Sequence, residues 1–152
     1  CLDRRIRVIN FRFFDELRTF LKIELRARRY DIVVHSAAVS DYKPARAGSG
    51  KVRSGKKSWN IKLSPAPKLI KEIKTIQPCL SVAGFKFEPG LTGRALIESG
   101  KKLLKDSGLN WVVANSNKNQ NYCAYIVDDQ GVSRQLGSKK KMVDALINYL
   151  GE

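Results

Sequence analysis

Acidic residues are scarce in this chain. Of 152 residues, 14 are Asp or Glu against 29 Lys or Arg, a formal net charge of +15. That imbalance directs attention to anionic partners: nucleic acid, an acidic membrane surface, or small phosphorylated substrates. Cysteine is equally sparse. Cys1, Cys79 and Cys123 are an odd number with no C-x-x-C spacing, which argues against a disulfide framework or a zinc cage and for a reducing, cytoplasmic setting. The cysteines read as small apolar residues. A single histidine, His35, cannot form half of a two-histidine metal site, and within an apolar strand it reads as structural. Long hydrophobic runs are missing too. The stretch 32–39 is strand-sized, far short of the roughly 20 residues a bilayer requires, so no membrane partner is expected. The charged opening Cys1-Leu-Asp-Arg-Arg5 lacks a signal-peptide apolar region, and the absent initiator Met raises the expectation that residue 1 is not the natural start.

What is present suffices for a core: 43% of residues are hydrophobic, and the length suits one domain, 1–152. Ile6 to Phe11 is β-branched and reads as a strand, followed by a helix over Phe13 to Arg29 with Phe14, Leu17, Phe20, Leu21 and Leu25 on one face. Asp31 to Ser36 is apolar without alternation, which predicts a central strand buried on both faces of a parallel sheet. Trp59 to Leu63 alternates as a half-exposed strand, Pro67 to Ile76 reads as a helix, and Ser81 to Phe87 as a strand. A helix over Leu91 to Lys105 ends near Gly108, and Asn110 to Asn115 is another buried strand. Tyr122 to Val127 and Val132 to Leu136 form a hairpin across Asp128 to Gly131, before a helix from Ser138 to Leu150. The order β-α-β-β-α-β-α-β-β-β-α defines an α/β fold, mostly parallel, with a C-terminal hairpin. Ligands in such sheets bind where loops leave the carboxyl ends of the strands. Those positions hold Ser36 to Asp41, Phe85 to Glu88, and Asn115 to Asn117.

The charge is concentrated. From Tyr42 to Lys71 there are nine basic residues and no acidic one, most among Gly, Ser, Ala and Pro, which reads as a cationic flap over about 43–58 running into a strand. Within it, Gly50-Lys-Val-Arg-Ser-Gly55-Lys56-Lys57 approaches the phosphate-binding G-x-x-x-x-G-K-[ST], but Lys57 replaces the hydroxyl residue and a strand-like segment follows where a helix is required. A flap closing over an anion fits better than a true P-loop. Asp41, just past a buried strand and ahead of that acid-free stretch, is placed to bind Mg²⁺ or a sugar hydroxyl, or simply to form a turn. Lys101 and Lys105 form an i, i+4 pair that either clasps polyphosphate or lines a solvated face. A Ser-His-Asp triad from Ser36 or Ser40, His35 and Asp41 fails, because neighbours on one strand point to opposite faces.

Ala37-Ala-Val-Ser-Asp-Tyr-Lys-Pro44 resembles the Ala-Ala-Val-x-Asp-[Tyr/Trp]-[Arg/Lys] segment of the phosphopantothenoylcysteine synthetase family, the ligase of coenzyme A biosynthesis. In order, Lys51-Val-Arg-Ser54 resembles its flap, Leu63-Ser-Pro-Ala-Pro-Lys-Leu-Ile70 its L-x-x-x-P-D-I segment, Gly84-Phe-Lys-Phe-Glu88 a strand end, and Val112-Val-Ala-Asn115 another strand. Lys68 stands where that family usually has Asp, Ser116 where Asp often follows the Asn, and Ser54 where the flap's last Lys would be. Family members also begin with a further strand and helix bearing a glycine-rich segment and an Asn. Nothing comparable precedes Cys1, so a truncated or separately encoded portion is expected.

The resemblance implies a Rossmann-like three-layer sandwich. It implies joining 4'-phosphopantothenate to L-cysteine through an acyl-nucleotide made from CTP or ATP with Mg²⁺. It assigns Lys51 to the α-phosphate, and Ser36, Ala37 and Asp41 to the nucleotide, with Asp41 on ribose or metal. It assigns Pro67, Lys68, Leu69, Ile70 and Phe85 to the base pocket, and Lys101 and Lys105 to the triphosphate. Asn115 is expected to brace its strand. A homodimer, or a chain supplying the missing N-terminal unit, is the expected partner. The alternative is a basic nucleic-acid-binding or regulatory subunit without activity of its own, although no helix-turn-helix, zinc-finger or RNP-like segment is present. Incidental adhesion to nucleic acid is expected from the charge in either case.

Overall fold

The computed structural model describes residues 5–46, 50–51, 54–55 and 57–151. Helix α1, Phe14–Ala27, opens with Glu16 turned back on its own N-terminus. Its Oε2 accepts hydrogen bonds from the backbone N–H groups of Arg12 (2.7 Å) and Phe13 (3.1 Å), and those donors hold the Glu16 carboxyl below its ordinary value. Strand β1, Ile32–His35, follows, then a short antiparallel ribbon of β2, Tyr42–Pro44, and β3, Leu63–Pro65. Helix α2 is Leu69–Ile76, β4 Ser81–Phe87, α3 Gly93–Ser107, β5 Trp111–Lys118, β6 Asn121–Val127 and α4 Lys139–Gly151.

The main sheet has the order β1-β4-β5-β6, with β1, β4 and β5 parallel and β6 antiparallel to β5. One face carries α1, α2 and α3 over a cluster of Leu25, Ile73, Leu80, Val82, Leu109 and Val112. The other carries α4, where Met142 and Leu146 pack on Ala83, Val113, Ala124 and Ile126. This is the expected α/β three-layer, Rossmann-like arrangement. Two glycines set its tightness. A Cβ at Gly84 would lie 2.7 Å from Leu109 Cδ1 and 2.8 Å from Ile70 Cδ1, and one at Gly100 would lie 2.9 Å from the Ala114 Cβ. These are the points of closest approach to the α2 and α3 layer.

Helix ends follow the local chemistry. Gly108 adopts φ +61° at the C-terminus of α3, as the sequence predicts, and Ser138 Oγ accepts the Lys141 N–H at the start of α4 (3.2 Å). Helices α1 and α2 are joined by Arg18, which donates three hydrogen bonds to Glu72, two from Nε at 3.0 Å and one from Nη2 at 2.5 Å, with Lys22 Nζ 3.4 Å from the same carboxylate.

Four expectations are corrected. Ile6 to Phe11 is not a strand, and Ile6, Val8 and Phe11 remain more than half exposed. Consequently β1 lies at a sheet edge rather than at the centre: among the described residues only β4 pairs with it, and Val34 is 45% exposed. The strand expected over Trp59 to Leu63 is displaced to β3, because its partner is Tyr42–Pro44, which reads as loop in the sequence. Pro44 and Pro65 are accommodated there because a two-stranded ribbon leaves N–H positions unpaired. Finally, the main C-terminal hairpin is β5 with β6. Asn119 and Gln120 turn it with φ of 49° and 65°, and Val132 and Leu136 add only isolated bridges to β6. Asn115 to Asn117 therefore lie inside a strand, not in a loop. Cys123 is buried as expected, and burial raises its thiol pKa, but Cys79 is exposed.

Candidate functional site

The carboxyl ends of β1, β4 and β5 form a rim, and three chain segments meet on its α2 side. The first is the loop 36–41. Its end is pinned by the Ala66 N–H, which donates to the Asp41 carbonyl at 2.8 Å, and by the β2 and β3 ribbon beyond it. The second is the junction of β3 and α2. Lys68 occupies the N-cap of α2 without using its side chain as a cap; its ammonium instead donates to the Asp41 carboxylate. That hydrogen bond, then the charges of Lys68 and Lys86, hold the Asp41 carboxyl below its ordinary value. The third segment is the end of β4. Lys86 Nζ is 3.0 Å from Glu88 Oε1, which also accepts from Ser99 Oγ of α3 at 3.0 Å. Lys86 first and Ser99 second keep Glu88 below its ordinary value, and the Glu88 N–H donates to the Asn115 carbonyl at 2.9 Å, tying β4 to β5.

The rim therefore carries two carboxylate–ammonium pairs, Asp41 with Lys68 and Glu88 with Lys86. Each lysine has three donors, so donors remain for an incoming anion. The amides of Leu69 and Ile70 precede the first intrahelical bond of α2, which the Lys71 N–H makes to the Lys68 carbonyl. Ser36 and Ala37 lie exposed at the start of the loop after β1.

Not every expected residue joins this group. Phe85 points to the α4 face, packed against the cluster of Ala83, Val113 and Ala124, whereas Ile70 packs on the opposite face. Lys101 is paired with Glu98 on the exposed side of α3, and Lys105 lies roughly 9 Å along the axis from Ser99, at 1.5 Å per residue. Lys51 is exposed on the loop joining the ribbon strands. Residues 47–49, 52–53 and 56, which include Arg53 and Lys56 of the near P-loop, lie outside the described residues. Beyond them the chain enters β3 rather than a helix, against a true P-loop. Pro67 is half-buried at the junction with α2. Burial lowers the His35 pKa, so this side chain is neutral at pH 7.

Three polar atoms stand apart near this end of the sheet. Asn115 Oδ1, Ser116 Oγ and Tyr122 OH are buried without a hydrogen-bond partner. Burial, ahead of the neighbouring Cys123, raises the Tyr122 pKa, and the Asn115 amide opposes it. Buried polar atoms are normally paired, by protein groups or by ordered water. The sequence places Asn115 and Ser116 at the end of a strand but does not mark Tyr122, which carries the pattern of a core strand.

The Mg²⁺ implied by the resemblance does not fit Asp41 as the chain holds it. An ammonium already occupies the carboxylate, and among the described residues no three His, Cys, Asp or Glu side chains gather as a metal site.

Comparison with known proteins gives a consistent result. Residues 4–151 match the model of the DNA/pantothenate metabolism flavoprotein C-terminal domain. The chain is 36% identical over 104 residues to the coenzyme A biosynthesis bifunctional protein CoaBC of Thermococcus kodakarensis, covering 68% of this chain and 26% of that protein. It is 31% identical over 130 residues to the CoaBC of Methanocaldococcus jannaschii, covering 82% and 32%. The chain thus spans between a quarter and a third of the curated relatives it matches. In fold it is similar to the DNA/pantothenate metabolism flavoprotein from Streptococcus pneumoniae, with a TM-score of 0.76, 20% identity, and coverage of 91% of this chain and 69% of that one.

Proposed function

The chain belongs to the family of the DNA/pantothenate metabolism flavoprotein C-terminal domain, and from that membership we propose that it is a ligase portion of coenzyme A biosynthesis, joining 4'-phosphopantothenate to L-cysteine through an acyl-nucleotide formed from CTP or ATP. The observation that supports this most directly is the convergence of the 36–41 loop, the Lys68 N-cap and the end of β4 at the carboxyl rim of a parallel sheet, where such folds bind nucleotides.

The chemistry requires negative charge to be held while a carboxylate attacks the α-phosphate, pyrophosphate leaves, and the cysteine amine then displaces the nucleotide to make the amide. Positioned lysines supply what that route needs. In this reading Lys51 comes down with its loop onto the α-phosphate, Lys68 and Lys86 hold the phosphates from the rim, and the amides of Leu69 and Ile70 contact the nucleotide. Ser36 and Ala37 line the approach from β1. Magnesium arrives as the counter-ion of the triphosphate. Among the described residues β1 has one unpaired edge, and Ile6, Val8, Phe11 and Phe13 ahead of α1 are exposed, which supports assembly with a second copy or a complementing segment. Among the described residues no helix is long and apolar enough to cross a membrane.

Calorimetric titration of the chain with CTP and with ATP in Mg²⁺ tests the reading. Saturable binding of one nucleotide, weakened roughly tenfold or more by Lys51→Ala through loss of a charge-assisted contact, is the expected result. Absence of nucleotide binding alongside salt-sensitive binding of nucleic acid would overturn it. The charge of +15 favours some adhesion to nucleic acid in any event, and 0.5 M salt, with a screening length of about 4–5 Å, is expected to abolish that.

A further inference from the structure

We infer that Lys68 takes the place of a protein-held divalent cation at the rim: its ammonium sits on the Asp41 carboxylate and, with Lys86, forms a metal-independent site for a polyphosphate. The inference rests on the nucleotide reading above only for the identity of the natural anion.

The geometry carries it in three steps. A carboxylate beside phosphates ordinarily needs a cation between them, because the two would otherwise repel. At Asp41 that cation is covalently part of the chain, since Lys68 Nζ donates to the carboxylate. The pair is more than half exposed at both side chains, so the remaining Lys68 donors are open to an incoming ligand. Second, Lys86 lies two residues beyond Gly84, the partner of His35 at the end of β1, so the end of β4 that carries it adjoins the loop leading to Asp41, and its ammonium is 3.0 Å from Glu88 Oε1. Two ammonium groups therefore face the same end of the sheet, each oriented by its own carboxylate. Third, the Lys68 backbone begins α2, so the side-chain cation and the first-turn amides of Leu69 and Ile70 belong to one short segment. A compact ammonium with three donors is suited to this role as a point charge that needs no coordination geometry.

The consequence is a reversal of the usual metal dependence. The free protein should take up no divalent ion at Asp41, and it should bind a polyphosphate in the presence of a chelator.

The test uses two probes that need no nucleobase. Mn²⁺ titration of the chain, read by electron paramagnetic resonance, is expected to show no saturable site in the wild type and a new one in Lys68→Asp. Titration with inorganic tripolyphosphate in EDTA is expected to show binding that Lys68→Ala weakens roughly tenfold, the size of one lost charge-assisted contact. Lys140→Ala, which removes one exposed positive charge on α4, is expected to change it less than about twofold. A wild-type Mn²⁺ site abolished by Asp41→Asn would overturn the proposal, and so would equal effects of Lys68→Ala and Lys140→Ala on tripolyphosphate. The two readings remain separable: tripolyphosphate binding without CTP or ATP binding removes the ligase reading and leaves this one standing. Nucleotide binding that is lost in EDTA, together with a wild-type Mn²⁺ site, does the reverse.

Discussion

Strands β1 and β5 are written in the same alphabet, Ile-Val-Val-His against Trp-Val-Val-Ala, yet they end in opposite environments. Val112 and Val113 are fully buried, whereas Val34 is 45% exposed. The difference lies in their neighbours. Strand β5 has β4 and β6 along its edges, α3 beneath it and α4 above it, whereas among the described residues β1 has β4 alone and helices on one face only. A continuous apolar run thus records that a strand is suited to two covered faces, while the cover itself comes from elsewhere in the assembly.

The comparison can be broken most directly by truncation. Leu96→Ala, beneath β5 and fully buried, is expected to cost about 2–5 kcal/mol in urea unfolding, whereas Val34→Ala should stay within about 0.5 kcal/mol. A large loss at Val34 would show that the outer face of β1 is covered in solution. Glycines give the next effect. Gly84→Ala must push apart Leu109 and Ile70 and is expected to cost about 1–3 kcal/mol, while Gly131→Ala, with nothing within 4 Å, should be near neutral.

The smallest effect separates the two kinds of ion pair. The hydrogen bonds from Arg18, helped by Lys22 and opposed by burial, lower the Glu72 carboxyl pKa, so this group adds stability above the ordinary carboxylate range. That contribution is lost as pH falls through the depressed folded value. Acid titration of the melting temperature, from about pH 5 downward, should therefore be shallower in Glu72→Gln than in the wild type. Asp41→Asn, at an exposed pair, should leave the neutral-pH melting temperature unchanged. If it lowers that temperature, the rim pair is structural and the contrast between the two ion pairs disappears.

Legibility followed locality. Helices α1, α2 and α3 and strand β4 lie within two residues of the segments expected from periodicity, because their caps and apolar stripes are encoded over a few turns. The ribbon of β2 and β3 was hidden because its two strands are about twenty residues apart and rich in proline, and only their pairing creates them. At the site, Asp41 and Lys68 are each visible as candidates. Their contact spans 27 positions and has no local signature.

By itself, then, the sequence determined the α/β class, the run of helices, the cationic segment from Tyr42 to Lys71, and the family to which the chain belongs. These depend on composition, on short-range periodicity and on ordered motifs. Only the tertiary structure decided that β1 is an edge, that Phe85 and Ile70 face opposite sides of the sheet, and that Lys68 reaches the Asp41 carboxylate. Those outcomes depend on which surfaces meet after distant segments pack, and a carboxylate takes whichever cation the fold brings within hydrogen-bonding distance.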